Sequence, residues 1–148
     1  RVPELLASGE RRAAELARVT ASMHDALMNY ETPVVFTSRK IEQPASLSQL
    51  DIARSVSVAL VRLVQGLSVR PDFIIGKGGI TSSDIGTHGL GVRRALVLGQ
   101  VRPGVPVWRL GKESTSPDLA YLVFPGNVGT PVTLLEIVSD LLDSTPMS

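Results

Sequence analysis

Three glycines within four residues, followed by three hydroxyl side chains, make Gly76-Lys77-Gly78-Gly79-Ile80-Thr81-Ser82-Ser83 the segment best suited to hold a phosphate. Apolar Phe73-Ile74-Ile75 lead into it, so a buried strand delivers the chain to the bend. Glycine accepts positive φ and lets a ligand approach the backbone closely. Thr81, Ser82 and Ser83 are helix N-cap types, and Thr81 to Asp84 has capping spacing. A helix starting here turns unpaired N–H groups and a partial positive charge toward an anion. Lys77 adds a cation, and the hydroxyls add partners for phosphate oxygens or a bound metal. The pattern matches neither G-x-x-x-x-G-K-[ST] nor G-x-G-x-x-G. On spacing alone, phosphate or nucleotide binding competes evenly with a tight strand-to-helix turn whose caps satisfy only its own backbone and whose lysine is merely solvated.

A second glycine loop, Gly126-Asn127-Val128-Gly129, also follows an apolar run and precedes a helical pattern. Two such loops at equivalent strand ends point to a ligand more than either alone, because open α/β sheets bind ligands beyond the carboxyl ends of their strands. The other polar candidates have plainer readings. Trp108 can stack on a base or fill core. His24 and His88 read as surface residues. Ser38 and Arg39 follow the first strand and read as solvated. Asp84 reads as a cap before it reads as a metal ligand. No cluster of acids has a general-base arrangement, although phosphoryl transfer needs a group to position or deprotonate the nucleophile. The chain therefore reads as a holder of the phosphate donor without machinery for the acceptor.

The elements that must position these loops follow from periodicity. Leu16, Val19, Met23 and Leu27 predict one helix over about Pro3 to Met28. Val34-Val35-Phe36-Thr37 reads as a short buried strand, and Ser38 to Pro44 as a polar loop. A second helix starts near Ser46, with Ser46 and Gln49 at capping-box spacing, and buries Ile52, Val56, Leu60, Leu63 and Leu67. Strands follow at Phe73–Ile75, Ala95–Leu98, Val107–Leu110 and Leu119–Phe124, with a turn over Val101–Pro106 and a short helix ending at Gly89 or Gly91. Thr130 as N-cap and Pro131 at N1 open a last helix, whose core face carries Leu134, Leu135, Val138, Leu141 and Leu142. Strands and helices interleave, so the class is α/β: a single domain over residues 1–148, with a mixed sheet of about five strands flanked by helices.

Composition closes off several functions. The 148 residues suit one domain, and 43% apolar content argues against disorder. Lysines and arginines number 15 against 14 acids, which argues against nucleic acid or an acidic membrane surface as partner. There are no cysteines, so disulfides, thiolate catalysis and cysteine zinc sites are excluded, and a cytoplasmic setting fits. No apolar run reaches the roughly 18–20 residues of a membrane span. The start, Arg1-Val2-Pro3-Glu4, shows no signal peptide and no initiator Met, and reads as a piece of a longer protein.

Lys77-Gly78-Gly79-Ile80-Thr81-Ser82, Arg102-Pro103-Gly104-Val105-Pro106 and Gly126-Asn127-Val128-Gly129 occur in that order at a spacing that resembles the C-terminal nucleotide-binding domain of the four-carbon acid sugar kinase family. The likeness runs from about the Val34 segment to the last helix. It implies a two-domain kinase that uses ATP and Mg²⁺ to phosphorylate sugar acids such as threonate or erythronate. An N-terminal domain of the same parent chain would hold the sugar acid and an acidic catalytic motif. Gly78, Gly79, Thr81 and Ser82, with Lys77, would hold phosphates, and Gly126, Asn127 and Gly129 would line the nucleotide site. The isolated domain would bind nucleotide without turnover, and a homo-oligomer is compatible. Two departures stand out: family members often carry a Lys-Ser pair where this chain has Phe124-Pro125, and many have an acid where it has Ile80. Two alternatives stay open: a degenerate, nucleotide-free domain kept for assembly, or a binder of another phosphorylated metabolite.

Overall fold

Helix α3 (Gln49–Gln65) begins where a serine and an acid close its first turn reciprocally. Ser48 Oγ accepts the Asp51 N–H at 3.2 Å, and the Asp51 carboxylate accepts the Ser48 N–H at 3.1 Å. The computed structural model describes residues 1–7, 9–38 and 47–144. Ser46, expected from the sequence to cap this helix, lies outside them. The cap in the structure is Ser48, whose partner three residues on is a carboxylate, a stronger acceptor than the amide of Gln49. The amino-terminal helix expected in one piece is two, α1 (Val2–Leu6) and α2 (Glu10–Met28), separated at Gly9, whose φ of 63° leaves the helical region.

Four strands form one mixed sheet: β1 (Phe73–Lys77), β2 (Ala95–Arg102), β3 (Val105–Leu110) and β4 (Ala120–Phe124). Their order is β1-β4-β3-β2. β1 and β4 are parallel, and β3 is antiparallel to both β4 and β2, so β1, β4 and β2 all point the same way. The count is four rather than about five because Val34–Thr37 forms no strand. Its β-branched and aromatic residues supply propensity, but no described strand lies beside them, and Val34 and Phe36 are 69% and 82% exposed.

The sheet is covered on both faces. On one, α3, α4 (Gly79–Asp84) and the π-helical turn Ile85–Gly89 that continues α4 bury Ile85, Leu90, Leu110, Leu119 and Tyr121. On the other, α5 (Thr133–Ser144) buries Val105, Leu122, Phe124 and Ile137. α5 starts later than Thr130-Pro131 predicts. The Thr130 N–H donates to Thr133 Oγ1 at 2.9 Å and forms a turn ahead of the helix. Its inner face is Leu134, Ile137 and Leu141, while Leu135 and Leu142 face solvent. α1 and α2 pack against α3. No helix among the described residues is long and apolar enough to cross a membrane.

Within α2 the buried Glu15 carboxylate accepts from Arg18 Nε and Nη2, both at 2.8 Å, and from the Arg1 amino group at 2.6 Å. The Arg18 hydrogen bond, against the opposing effect of burial and with help from the amino group, holds this carboxyl at about 2 instead of 4.5. A depressed folded pKa stabilises the fold above the unfolded value and is lost as pH falls through the folded one. Thermal melts should therefore lose stability between about pH 4.5 and 2, and Glu15→Gln should flatten that part of the profile. An unchanged profile in the variant would rule out this role. Ser48→Ala should cost about 1 kcal/mol in urea denaturation through loss of the cap.

Candidate functional site

The carboxyl end of β1 is shaped by a buried tyrosine on the neighbouring strand. Tyr121 on β4 is fully buried, and its hydroxyl donates to the Ser82 carbonyl on α4 at 2.7 Å. Burial pushes this phenol's pKa well up, so it stays a protonated donor. The Ser82 hydroxyl lies 2.6 Å from the Gly76 carbonyl and 2.7 Å from that of Gly78. A Cβ on Gly76 would run into the Tyr121 hydroxyl and come within 3.0 Å of Ser82, which is why the strand ends in glycine. Gly78 follows at φ 96°, and its N–H donates to the Phe124 carbonyl at 2.8 Å, closing the turn against β4.

The three motifs of the sequence meet here. β1 and β4 are parallel neighbours with Lys77 opposite Phe124, so the two glycine loops leave the sheet side by side. The Pro103-Gly104 hairpin closes β2 at the same end, where Val128 Cγ1 lies 3.3 Å from the position of a Gly104 Cβ. Gly79, Gly126, Asn127 and Gly129 are exposed there, and the half-buried Thr81 has no hydroxyl partner among the described residues. Lys77 Nζ lies 4.7 Å from the centroid of the Phe124 ring. Ser82 differs from its sequence reading: it is 2% exposed and its hydroxyl is spent on the turn. Asp84, read as a cap, instead accepts a hydrogen bond from Ser57 of α3.

From Gly79 a cleft of about 480 Å³ runs along the sheet face between α4 and β2. Ser83, Gly86 and Thr87 form its helical wall, and Val97, Trp108 and Val123 its floor. Arg93 and Arg94 stand at the far end, just ahead of β2. Glu113 Oε1 accepts their N–H groups at 3.2 and 2.7 Å and fixes that backbone. Its own backbone N–H, then those of Arg94 and Arg93, hold the Glu113 carboxyl below the usual range against the opposing effect of burial. Trp108 is held from below by Tyr121, with ring centroids 6.2 Å apart. The sequence reading missed Arg93, Arg94 and Val97, since nothing in local spacing relates them to Gly79. His24 Nδ1 meets Ser68, His88 lines a different cleft, Ser38 accepts the Val2 N–H, and Arg39 lies outside the described residues. No group of three His, Asp or Glu residues able to hold a metal occurs among the described residues.

Residues 1–134 match the family model described as a nucleotide-binding C-terminal domain. The chain belongs to that family. No curated protein matches it. Two crystal structures from Bordetella bronchiseptica, of a protein described as a domain of unknown function (DUF1537) with bound citrate and as a domain-swapped dimer, share its fold. The first is 18% identical with a TM-score of 0.61, covering 100% of this chain and 35% of that one. The second is 19% identical with a TM-score of 0.56, covering 90% and 33%. The nucleotide-binding domain thus spans about a third of the length of these structures.

Tyr121→Phe should cost about 1 kcal/mol by removing the buried hydrogen bond from the phenol to the Ser82 carbonyl. Gly76→Ala should cost about 1–3 kcal/mol by overpacking the same point. Urea denaturation reads both, and two silent substitutions would show that this network does not hold the turn.

Proposed function

We propose that this domain binds ATP or ADP with Mg²⁺ and is the donor half of a kinase acting on four-carbon sugar acids of the threonate or erythronate type. The observation that carries the reading is the cleft that opens from the glycine turn over Trp108. Phosphates lie at Gly78, Gly79 and Thr81, with Gly126, Asn127 and Gly129 on the other side. The base lies over Trp108, Val97 and Val123. A cleft of this size and apolar floor suits a base and ribose. Ser82 acts through the turn rather than on the ligand. Lys77, paired across from Phe124 with its ammonium over that ring, would add a cation at the loop end of β1 and β4. Arg93 and Arg94 close the far end as stacking or hydrogen-bonding groups.

No acid cluster among the described residues would hold Mg²⁺; carried on the nucleotide's phosphates, the ion would supply charge neutralisation for the transferred group, with the Thr81 hydroxyl as a partner at the turn. The sugar acid and the base that deprotonates it belong to an N-terminal domain of the same parent chain, and the isolated domain does not turn over. We further propose that the domain self-associates, as the domain-swapped Bordetella structures suggest.

Calorimetry with MgATP and MgADP should show binding, and nucleotide should quench the chain's one tryptophan, Trp108. Gly79→Asp is the decisive variant. A Cβ there meets nothing within 4 Å, so the fold persists while a carboxylate faces the phosphates. It should weaken binding at least about tenfold, the equivalent of about 1.4 kcal/mol. Equal affinity in wild type and Gly79→Asp, or preference for a sugar phosphate or inorganic phosphate over nucleotide, would overturn the reading.

A further inference from the structure

We propose that Val34–Thr37 is an exchanging strand, which adds to the outer edge of β1 in a second copy of this chain and receives that copy's strand in return. The inference rests on the self-association proposed above and names the elements that carry it.

The donor segment has strand chemistry without a strand's partners. Val34, Val35, Phe36 and Thr37 are β-branched or aromatic, and in an extended chain Val34 and Phe36 share one face. They are 69% and 82% exposed. No backbone hydrogen bond to a described residue satisfies the run from Thr32 to Thr37. Both ends of the segment are tied to the chain's own helices. The Tyr30 N–H donates to the Leu27 carbonyl of α2 at 3.1 Å, and Ser38 Oγ accepts the Val2 N–H of α1 at 3.1 Å. Tyr30 itself, at φ 59° and almost fully exposed, turns the chain away from α2 at that point. Anchored in this way, the segment presents its apolar side chains outward and leaves its own β1 uncovered.

The acceptor edge is suited to receive it. β1 pairs β4 on one side in unbroken register from Phe73 to Lys77, and no described residue pairs its other side. Phe73, Ile74 and Ile75 are only half-buried as a result, despite helices on both faces of the sheet. The sheet's other edge, β2, is protected against the same addition. Its pairing with β3 is interrupted between Val97 and Gly99 and again between Gln100 and Arg102, and Gly99 sits at φ 138°. Bulges of this kind twist an edge away from a flat partner. A regular five-residue edge therefore faces a four-residue donor of matching length. Mutual donation between two copies closes on itself, so the product is a two-fold dimer and not a filament.

The test uses the 148-residue chain, its Val35→Pro variant and, as a control, Val35→Thr. Proline removes a ladder N–H, whereas threonine keeps both the N–H and the β-branch. Sedimentation across a concentration series, with hydrogen exchange of residues 34–37 and 73–77, gives the readout. The wild type and Val35→Thr should be dimers in which the amides of residues 34–37, and those of residues 73–77 that do not pair with β4, are protected at high concentration and exposed on dilution. Val35→Pro should be monomeric with wild-type far-UV circular dichroism. A Val35→Pro dimer sinks the exchange but leaves self-association standing. A wild type that is monomeric throughout sinks the self-association reading itself. Protection that does not change with concentration places the strand on its own β1 and overturns the exchange. If Val35→Pro does not fold, the concentration dependence of wild-type protection decides.

Discussion

The hydrogen bond from Tyr121 to the Ser82 carbonyl is the constraint on which the rest of the site depends. It joins the middle of the sheet to the first turns of α4, and it does so inside the core, where an unpaired carbonyl is costly. Ser82 then brings the Gly76 and Gly78 carbonyls toward one hydroxyl, so strand end, bend and helix start become one rigid unit. The same phenol leaves no room for a side chain at Gly76. What looks in the sequence like a flexible glycine run is thus, at its first glycine, a packing requirement, and only Gly78 needs its positive φ.

The cleft is a consequence of where that unit holds α4. Fixed over β4 by Tyr121, α4 and its π-helical continuation cover the middle of the sheet and stop short of β2. Trp108 and Val97 are left as floor, and Gly79 as one end wall. The loop containing Glu113 completes the enclosure by tying down the backbone of Arg93 and Arg94. Parallel pairing places Lys77 directly across from Phe124, with its ammonium over that ring.

What could be read from the sequence divides along the same physical line. β1, β4 and the two glycine loops were legible because each depends on residues adjacent in the chain: an apolar run, then a turn. The break at Gly9 was missed because the apolar residues that mark the face, Leu16, Val19, Met23 and Leu27, all lie beyond it and do not fix where the helix begins, and the shift of the cap from Ser46 to Ser48 because two serines compete at equal spacing. Ser82 was misjudged for a different reason. Its type fits a phosphate, but its role is set by Tyr121, thirty-nine residues away. Arg93 and Arg94 carry no local signal at all, since only the order β1-β4-β3-β2 brings them to the end of the cleft that starts at Gly79. Val34–Thr37 has the propensity of a strand and none of its contacts, which separates what a segment prefers from what its neighbours permit.

The exposed side of β2 bears on the proposed donor role. Leu96, Val97 and Leu98 are 59%, 63% and 48% exposed, so the cleft is walled by α4 on one side and by little on the other. Phosphoryl transfer to a sugar hydroxyl competes with transfer to water, and a kinase must exclude water from the transferred group before it reacts. A cleft open along β2 can bind a nucleotide but cannot meet that condition alone. Under the proposed donor role, the acceptor's domain would have two tasks: to bring the hydroxyl and its base, and to cover the open flank of the cleft. The proposed binding without turnover would then follow from the shape of this domain's sheet, which leaves the flank along β2 open.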